Sequence, residues 1–368
     1  MSPQVEIQLI AAVVAVACAL PGVLLVLRRM VLMSDAISHA ILFGIVIAFF
    51  ATRDLSSPFL VLAAAATGLL TVVLVELINK TGLVREDAAI GLVFPALFSI
   101  GVILISRYAG DIHLDIDSVL LGELAFAPFD RLEFFGIDFG PKALGVMSGI
   151  LIINIVFIVI FYKELKLATF DSGLAAALGF TPAILNYALM SIVSVTAVGA
   201  FDAVGSILVV ALMVAPAVTA YMLTDRLWLM FILSAFFAVL AAILGYWVSH
   251  WFDASIAGSM ATMAGLIFGF VYLLAPDRGL IAIARRKARQ RLEFPQTMLA
   301  IHLSHHEGRA GQEKESRLAT LHHHMHWTEK FTVRIIELAE RNGLVIKSGE
   351  QLLLTDFGRK IAHETLSL

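Results

Sequence analysis

The chain has 368 residues, of which 60% are hydrophobic and only 15% are charged, and its formal net charge at pH 7 is −3. Soluble domains have a charged fraction near ~25%, so this composition excludes a soluble enzyme, a secreted disulfide-rich domain and a disordered regulator. The single cysteine, Cys18, lies in an apolar segment and cannot form an internal disulfide.

Apolar segments of membrane-spanning length recur through the first 275 residues. The predicted spans are 7–27, 31–51, 59–78, 88–106, 143–162, 182–199, 204–223, 226–248 and 255–275. The first is not a cleavable signal peptide, because no basic residue precedes it and no small-residue cleavage site follows it. The boundaries at 143–162 and 182–199 are the least sharp. The predicted fold class is therefore an all-α polytopic membrane protein with eight or nine transmembrane helices.

Basic residues in the short loops predict the orientation. With nine spans and an outer N-terminus, the inner loops carry seven arginines and lysines and the outer loops carry four. The arginine-rich segment 285–291 then also lies inside. With eight spans the N-terminus would move inside, but the C-terminal region would stay cytoplasmic.

The connection 107–142 is predicted to be outer and is acidic. Its residues His113, Asp115 and Asp117 could contact a binding protein or hold a cation transiently. A solvated acidic loop fits the same composition equally well.

The connection 163–181 is predicted to be cytoplasmic and too polar to span the membrane. Asp171 is a good N-cap, Ala175–Leu178 favour a helix, and Gly179 is a common helix end. This pattern predicts a short helix outside the bilayer.

The chain becomes polar after a transmembrane domain predicted at 1–280. Residues 281–316 are expected to form a basic and polar linker with a short helix, followed by a small α+β domain at 317–368. Helical periodicity at 330–342 is followed by two β-prone segments around a Ser-Gly-Glu turn and by a helix at 355–365. This order predicts a small cytoplasmic winged-helix domain.

Asp35 and His39 are the most unusual residues of the apolar region, because they are four residues apart and share one helix face. Ionisable side chains are costly in a membrane and usually mark a functional site. A carboxylate with an imidazole suits Mn²⁺, Zn²⁺ or Fe²⁺. A hydrogen bond within the helix bundle, or a cap at the membrane entry, explains the spacing equally well.

Three stretches resemble conserved segments of metal-type ABC permeases, the membrane subunits for manganese, zinc and iron uptake. RRMVLMSDAISHAILFGIVIAF (28–49) resembles the family's GDAxSHAxLPG segment, with Ser34 for the usual Gly and Phe43 for the usual Pro. DIDSVLLGEL (115–124) resembles its DxLLFG segment, and AVGSILVVALMVAPAVTA (203–220) resembles its AVGxLLVxALLxxPAATA helix. The similarity extends over about residues 5–275.

This resemblance implies the permease subunit of an importer in the bacterial inner membrane, which carries Mn²⁺, Zn²⁺ or Fe²⁺ past Asp35 and His39. The sequence has no GxxxxGK[ST] motif, so ATP hydrolysis is expected on a separate ATPase chain and this chain is not expected to be an enzyme. The other implied partners are a second permease subunit, identical or paralogous, a metal-loaded binding protein and the lipid bilayer. No permanently bound cofactor is expected.

The segment around 170–180 resembles the coupling helix that docks on the ATPase in such permeases. The residues implied in this contact are Phe170, Asp171, Ala175, Leu178, Gly179 and Phe180. A plain interfacial helix is the alternative.

Eight of the 11 histidines lie after Pro276, and His-rich tracts often bind transition metals. A regulatory metal site is predicted at His322, His323, His324 and His326; histidines that pack or are solvated are the alternative. LAERNGLV (338–345) and LLLTDFGRKIA (352–362) resemble iron-dependent repressors. Few basic residues lie on 330–342 and the domain is tethered to a membrane, so nucleic acid is not an expected partner.

The conclusion from the sequence is a permease subunit of an ABC importer for a divalent transition metal. Two alternatives remain: a siderophore- or cobalamin-type ABC permease, and a membrane-anchored metal-responsive regulator. The sequence does not select the metal.

Overall fold

The computed structural model describes residues 2–53, 57–108, 124–134, 137–309 and 312–366. The chain divides into two compact units, Met1–Arg278 and Gly279–Leu368. The division falls two residues before the domain boundary expected at 280. Each unit has its own hydrophobic core, and the two are described separately.

Nine helices among the described residues are long and apolar enough to cross a membrane. They are α1 Pro3–Leu27, α2 Val31–Thr52, α3 Pro58–Lys80, α4 Glu86–Tyr108, α5 Lys142–Ile160, α8 Pro182–Val204, α9 Ser206–Leu223, α10 Leu227–Phe252 and α11 Ile256–Leu274. Two short helices, α6 Tyr162–Phe170 and α7 Ser172–Ala177, lie between α5 and α8. The prediction of a polytopic helical membrane protein is confirmed.

Helix α1 lies at the centre of the first unit, where it packs on α5, α8, α9 and α10. A Cβ at Gly22 would lie 1.9 Å from the backbone oxygen of Met213, so only glycine permits α1 and α9 to approach this closely. The buried Asn154 side chain of α5 donates to the Ala17 carbonyl at 2.9 Å and to Thr196 Oγ1 at 3.0 Å. Close packing and polar contacts thus hold the bundle together without a hydrophobic driving force between helices.

Helix α2 is fixed by α3 and α4, which pack along it. A Cβ at Gly44 would lie 2.4 Å from the Ala63 carbonyl oxygen, and one at Gly101 would lie 3.2 Å from the Phe43 backbone nitrogen. These contacts leave α2 little freedom to rotate, so its polar face has a defined direction.

The first unit also contains an antiparallel hairpin, β1 Arg131–Phe134 and β2 Ile137–Pro141. This hairpin is not among the predicted elements, because its strands of four and five residues are too short to show a period in the sequence. Arg131 Nη2 lies 3.8 Å from Oε1 of Glu6 in α1, and Lys142 Nζ lies 3.6 Å from Asp130 Oδ2.

The second unit begins with a 27-residue helix, α12 Leu280–His306, where a linker with a short helix was expected. Beyond the internal Pro295, the residues Leu299, Ala300 and Leu303 continue one apolar face into the core of this unit. The segment therefore belongs to the folded unit.

The rest of the second unit follows the predicted order of helices and strands. It contains the short helices α13 Gln312–Glu315 and α14 Leu321–His324, then α15 Glu329–Arg341, the antiparallel hairpin β3 Val345–Ser348 and β4 Gln351–Leu354, and α16 Asp356–Leu366. Ile335 and Ala339 of α15 and Leu352 of β4 are buried in the same core as Leu299. Helices α15 and α16 lie within one residue of their predicted bounds, and β3 and β4 are joined at the predicted Ser-Gly-Glu turn.

Candidate functional site

Asp35 and His39 form the polar centre of α2. The spacing of four residues brings His39 Nε2 to 3.3 Å from Asp35 Oδ1. Their side chains keep 39% and 30% of their surface exposed, whereas the neighbouring Ser34 and Ser38 are buried. The pair is therefore accessible from one side of the helix.

The surroundings of the pair leave its ligand atoms available. The Ser34 and Ser38 hydroxyls donate to backbone carbonyls of their own helix at 2.9 Å. The His39 ring lies against Phe94 and Phe98 of α4, with ring centroids 5.9 and 6.0 Å away. One carboxylate and one imidazole on a single face suit a divalent transition metal.

The pair alone provides too few ligands for a complete metal site. Within the described part of the chain, the only group of three or more metal-ligating side chains that converge lies elsewhere, in the second unit. Further ligands around Asp35 and His39 would have to come from water or from another chain.

The segment from α6 to the start of α8 has a strongly defined local structure. Asp171 Oδ1 accepts a hydrogen bond from the Leu174 amide at 2.8 Å, which caps α7 as the sequence predicts. At the other end, the amides of Gly179 and Phe180 donate to the Ala176 and Ala175 carbonyls, each at 3.0 Å. This pattern is a Schellman motif, and it requires the positive φ of +87° that Gly179 adopts.

The same segment exposes several large apolar side chains. Ala175 is buried, whereas Phe170, Leu174, Leu178 and Phe180 are exposed, Phe170 and Leu178 to 62% each. A rigid short helix with this apolar surface is suited to dock in a groove of another protein.

Arg28 is a residue of this region that the sequence reasoning treated only as an orientation charge. Its Nε donates to Thr169 Oγ1 of α6 at 3.0 Å, and its Nη1 donates to Asn186 Oδ1 of α8 at 3.1 Å. Burial lowers the pKa of the Arg28 guanidinium below its ordinary value. Arg28 and Arg29 at the end of the first span are conspicuous in the sequence. The partners of Arg28, however, lie more than 140 residues away, so the sequence does not indicate them.

The four histidines predicted as a regulatory site do not converge. The rings of His322 and His323 lie against each other with centroids 4.3 Å apart, and His326 lies in a turn with φ +51°. His324 instead contacts Glu315, with 2.9 Å between Nδ1 and Oε2. The converging ligands are His302, His306 and Glu315, which the sequence reasoning did not combine although the first two have helical i, i+4 spacing.

The predicted outer-loop residues His113, Asp115 and Asp117 lie outside the described residues. Their role as a contact for a binding protein stays a prediction.

Comparison with known proteins places these features in a family. Residues 5–275 match the ABC 3 transport family. The chain is 46% identical over 363 residues to the zinc transport system membrane protein TroD of Treponema pallidum (strain Nichols), covering 99% of both chains. It is 47% identical over 268 residues to the manganese transport system membrane protein MntD of Bacillus subtilis (strain 168), covering 73% of this chain and 90% of the relative.

A solved structure, PsaBC from Streptococcus pneumoniae in complex with Fab, is similar with a TM-score of 0.63 and 28% identity, covering 76% of this chain and 94% of that one. The family match ends at residue 275, so it includes the nine membrane helices and the α6–α7 segment but not the second unit. The chain belongs to the ABC 3 transport family.

Proposed function

We propose that this chain is the membrane-spanning permease subunit of a bacterial ABC importer for Mn²⁺, Zn²⁺ or Fe²⁺. The observation that carries the proposal is the Asp35–His39 pair, which lies partly exposed on an apolar membrane helix. A carboxylate and an imidazole are costly there unless they are used, and together they are ligands for divalent transition metals. Relatives named as zinc and manganese transport proteins support the same class of substrate.

The metal path is completed by a second permease subunit, identical or paralogous. Two subunits that face each other through α2 would bring together two carboxylates and two imidazoles, enough for four-coordination. The pair in one chain supplies only half of this set. A binding protein delivers the ion from the outer side.

A separate ATPase drives transport through the α6–α7 segment. The exposed apolar side chains at Phe170, Leu174 and Leu178 would dock on the ATPase, and the capped ends of α7 keep their arrangement fixed. The excess of basic residues in the loops on this side supports a cytoplasmic location. The same rule supports a cytoplasmic location for the second unit.

The second unit is a winged-helix-like regulatory or subunit-contact domain. Its α15, β3–β4 hairpin and α16 have the order of a winged helix. The face of α15 is poorly suited to DNA, because Glu337 and Glu340 accompany its few basic residues and Glu340 pairs with Lys347 at 2.8 Å. The TroD relative shares this region, whereas the match to the MntD relative covers only 73% of the chain.

Uptake of radiolabelled Zn²⁺ and Mn²⁺ by cells tests the proposal. The cells carry the full chain, or a chain that ends at Gly279, together with the matching ATPase and binding protein. Both forms should transport at least one of the two metals, because the membrane unit has a core of its own. If neither metal enters and Fe²⁺ is not transported either, the importer proposal is wrong.

The same cells separate the two alternatives. A large-ligand permease would accumulate an iron–siderophore complex or cobalamin instead of the free ion. A membrane-anchored regulator would lose metal-dependent transcription when the second unit is removed, with uptake unchanged.

A further inference from the structure

Three elements of the second unit bring histidines and a carboxylate to one place. His302 and His306 lie one turn apart on α12, with ring centroids 4.8 Å from each other. Glu315 ends α13, and its Oε2 lies 3.5 Å from His302 Nε2 and 2.9 Å from His324 Nδ1 of α14. The ring centroids of His302 and His324 are 6.3 Å apart.

The ligand atoms of this cluster are close enough to share one ion. One ligand atom from each of His302, His306 and Glu315 lies within 4.8 Å of the others. Ligands of a tetrahedral Zn²⁺ at bond lengths of about 2.0–2.1 Å are roughly 3.4 Å apart. Small side-chain rotations would bring these ligand atoms from separations of up to 4.8 Å to the separation that a tetrahedral Zn²⁺ requires.

His302 is the residue whose environment most needs a further partner. Its side chain is only 17% exposed, and its Nε2 is buried with no hydrogen-bond partner among the described residues. An ion pair between Glu315 and His324 alone would leave His302 Nε2 buried without a partner.

We propose that His302, His306, His324 and Glu315 form a binding site for Zn²⁺ in the second unit, separate from the transport path. Three imidazoles and one carboxylate are a ligand set that binds zinc well and Mn²⁺ weakly. The ion would connect α12, α13 and α14 and so fix the segment that precedes α15. Zinc bound at this site would let the second unit respond to the zinc concentration.

The test is zinc binding to the purified full-length protein in detergent, after removal of metal with a chelator. The variant Asp35→Ala/His39→Ala serves as the background, because it removes the ligands of the transport path. Equilibrium titration with Zn²⁺ should find one tight site per chain in this background. Mn²⁺ should compete poorly for that site.

Adding His302→Ala/His306→Ala should weaken zinc binding by more than about 100-fold, because loss of mere second-shell contacts already costs ~10–100-fold in metal affinity. Glu315→Gln, which keeps the size of the side chain, should weaken it too. His363→Ala, at an exposed histidine of α16, is the matched control and should bind zinc as the background does.

Co²⁺ provides a readout of geometry. The background protein should show the intense visible bands of tetrahedral Co²⁺, and the His302→Ala/His306→Ala variant should lack them. Unchanged zinc affinity and unchanged Co²⁺ bands in that variant would overturn the site. Since no transport is measured, this outcome is independent of whether the chain is an importer.

Discussion

The Arg28 side chain connects the end of α1 to α6, in the segment that we propose docks on the ATPase. It follows the last residue of α1 and bonds to both α6 and α8 through its planar guanidinium. A lysine keeps the charge but cannot donate to two acceptors in this geometry. Hydrogen bonds from charged groups contribute roughly 1.5–3 kcal/mol, so loss of one of these bonds should weaken the connection between α1 and α6.

We therefore expect Arg28→Lys to uncouple ATP hydrolysis from transport. The ratio of metal imported to ATP hydrolysed should fall in proteoliposomes that contain the whole importer. Arg29→Lys is the control, because Arg29 is the exposed neighbour. An unchanged ratio in Arg28→Lys would show that these hydrogen bonds do not participate in coupling.

Single residues also mark the limit of what the sequence predicts. Asp35 and His39 were found because charge within an apolar segment is conspicuous and because their i, i+4 spacing fixes a shared face. The Arg28 contacts and the Glu315 cluster were not found, since their partners are brought together only by tertiary packing. His302 and His306 had the right spacing, but nothing in the sequence indicated that Glu315 would complete the group.

At the scale of elements, the stability of α7 depends on the caps at its two ends more than on its length. Six residues are too few for an isolated helix to be stable in water. The Asp171 cap and the Schellman motif at Gly179 satisfy backbone groups that would otherwise lack partners. The conformation of α7, and with it the surface that we propose docks on the ATPase, therefore depends on these two positions.

Gly179→Val should disturb the end of α7. No atom lies within 4 Å of an added Cβ, so the cost comes from the positive φ alone and is roughly 1–2 kcal/mol. Metal uptake should decrease while the amount of protein in the membrane stays normal. Gly173→Ala is the matched control, because Gly173 is helical and its added Cβ meets Asp171 Oδ1 at an ordinary 3.4 Å. Wild-type uptake in Gly179→Val would contradict the role given to this cap.

The exposed apolar surface of the α6–α7 segment gives a separate prediction. Phe170→Ser/Leu178→Glu should reduce the amount of ATPase that co-purifies with the permease, because both side chains are 62% exposed and would be covered on docking. Phe129→Ser is the control, since Phe129 is also exposed, to 68%, but lies just before β1 and not in the α6–α7 segment. Equal recovery of the ATPase with both variants would show that docking occurs elsewhere.

Elements differ in how well the sequence predicts them. The nine membrane helices follow from hydropathy, because each must satisfy its own backbone in lipid. Helix α12 was underestimated because its basic and polar composition indicates a linker, whereas the packing of Leu299 and Leu303 makes it part of a folded core. The β1–β2 hairpin was missed because strands of four and five residues carry little periodicity.

At the scale of the whole molecule, the chain combines a transport unit with a second unit that has its own core. In our proposal the transport unit offers the Asp35 carboxylate and the His39 imidazole to the metal path. The second unit contains the only converging group of three or more metal ligands among the described residues. Separate metal sites in the two units would let one chain both conduct an ion and respond to it.

The central claim is that the ion passes Asp35 and His39, and ATP-driven uptake into proteoliposomes tests it most directly. The importer is reconstituted with its ATPase and loaded binding protein, and radiolabelled Zn²⁺ and Mn²⁺ are offered to wild type, Asp35→Ala, His39→Ala and the control Ser38→Ala. Within the described part of the chain, the Ser38 hydroxyl bonds to a carbonyl of its own helix, so its variant should transport normally. We predict that Asp35→Ala and His39→Ala lose uptake of the metal that wild type transports, with the complex still assembled. Wild-type uptake by both variants would contradict the account.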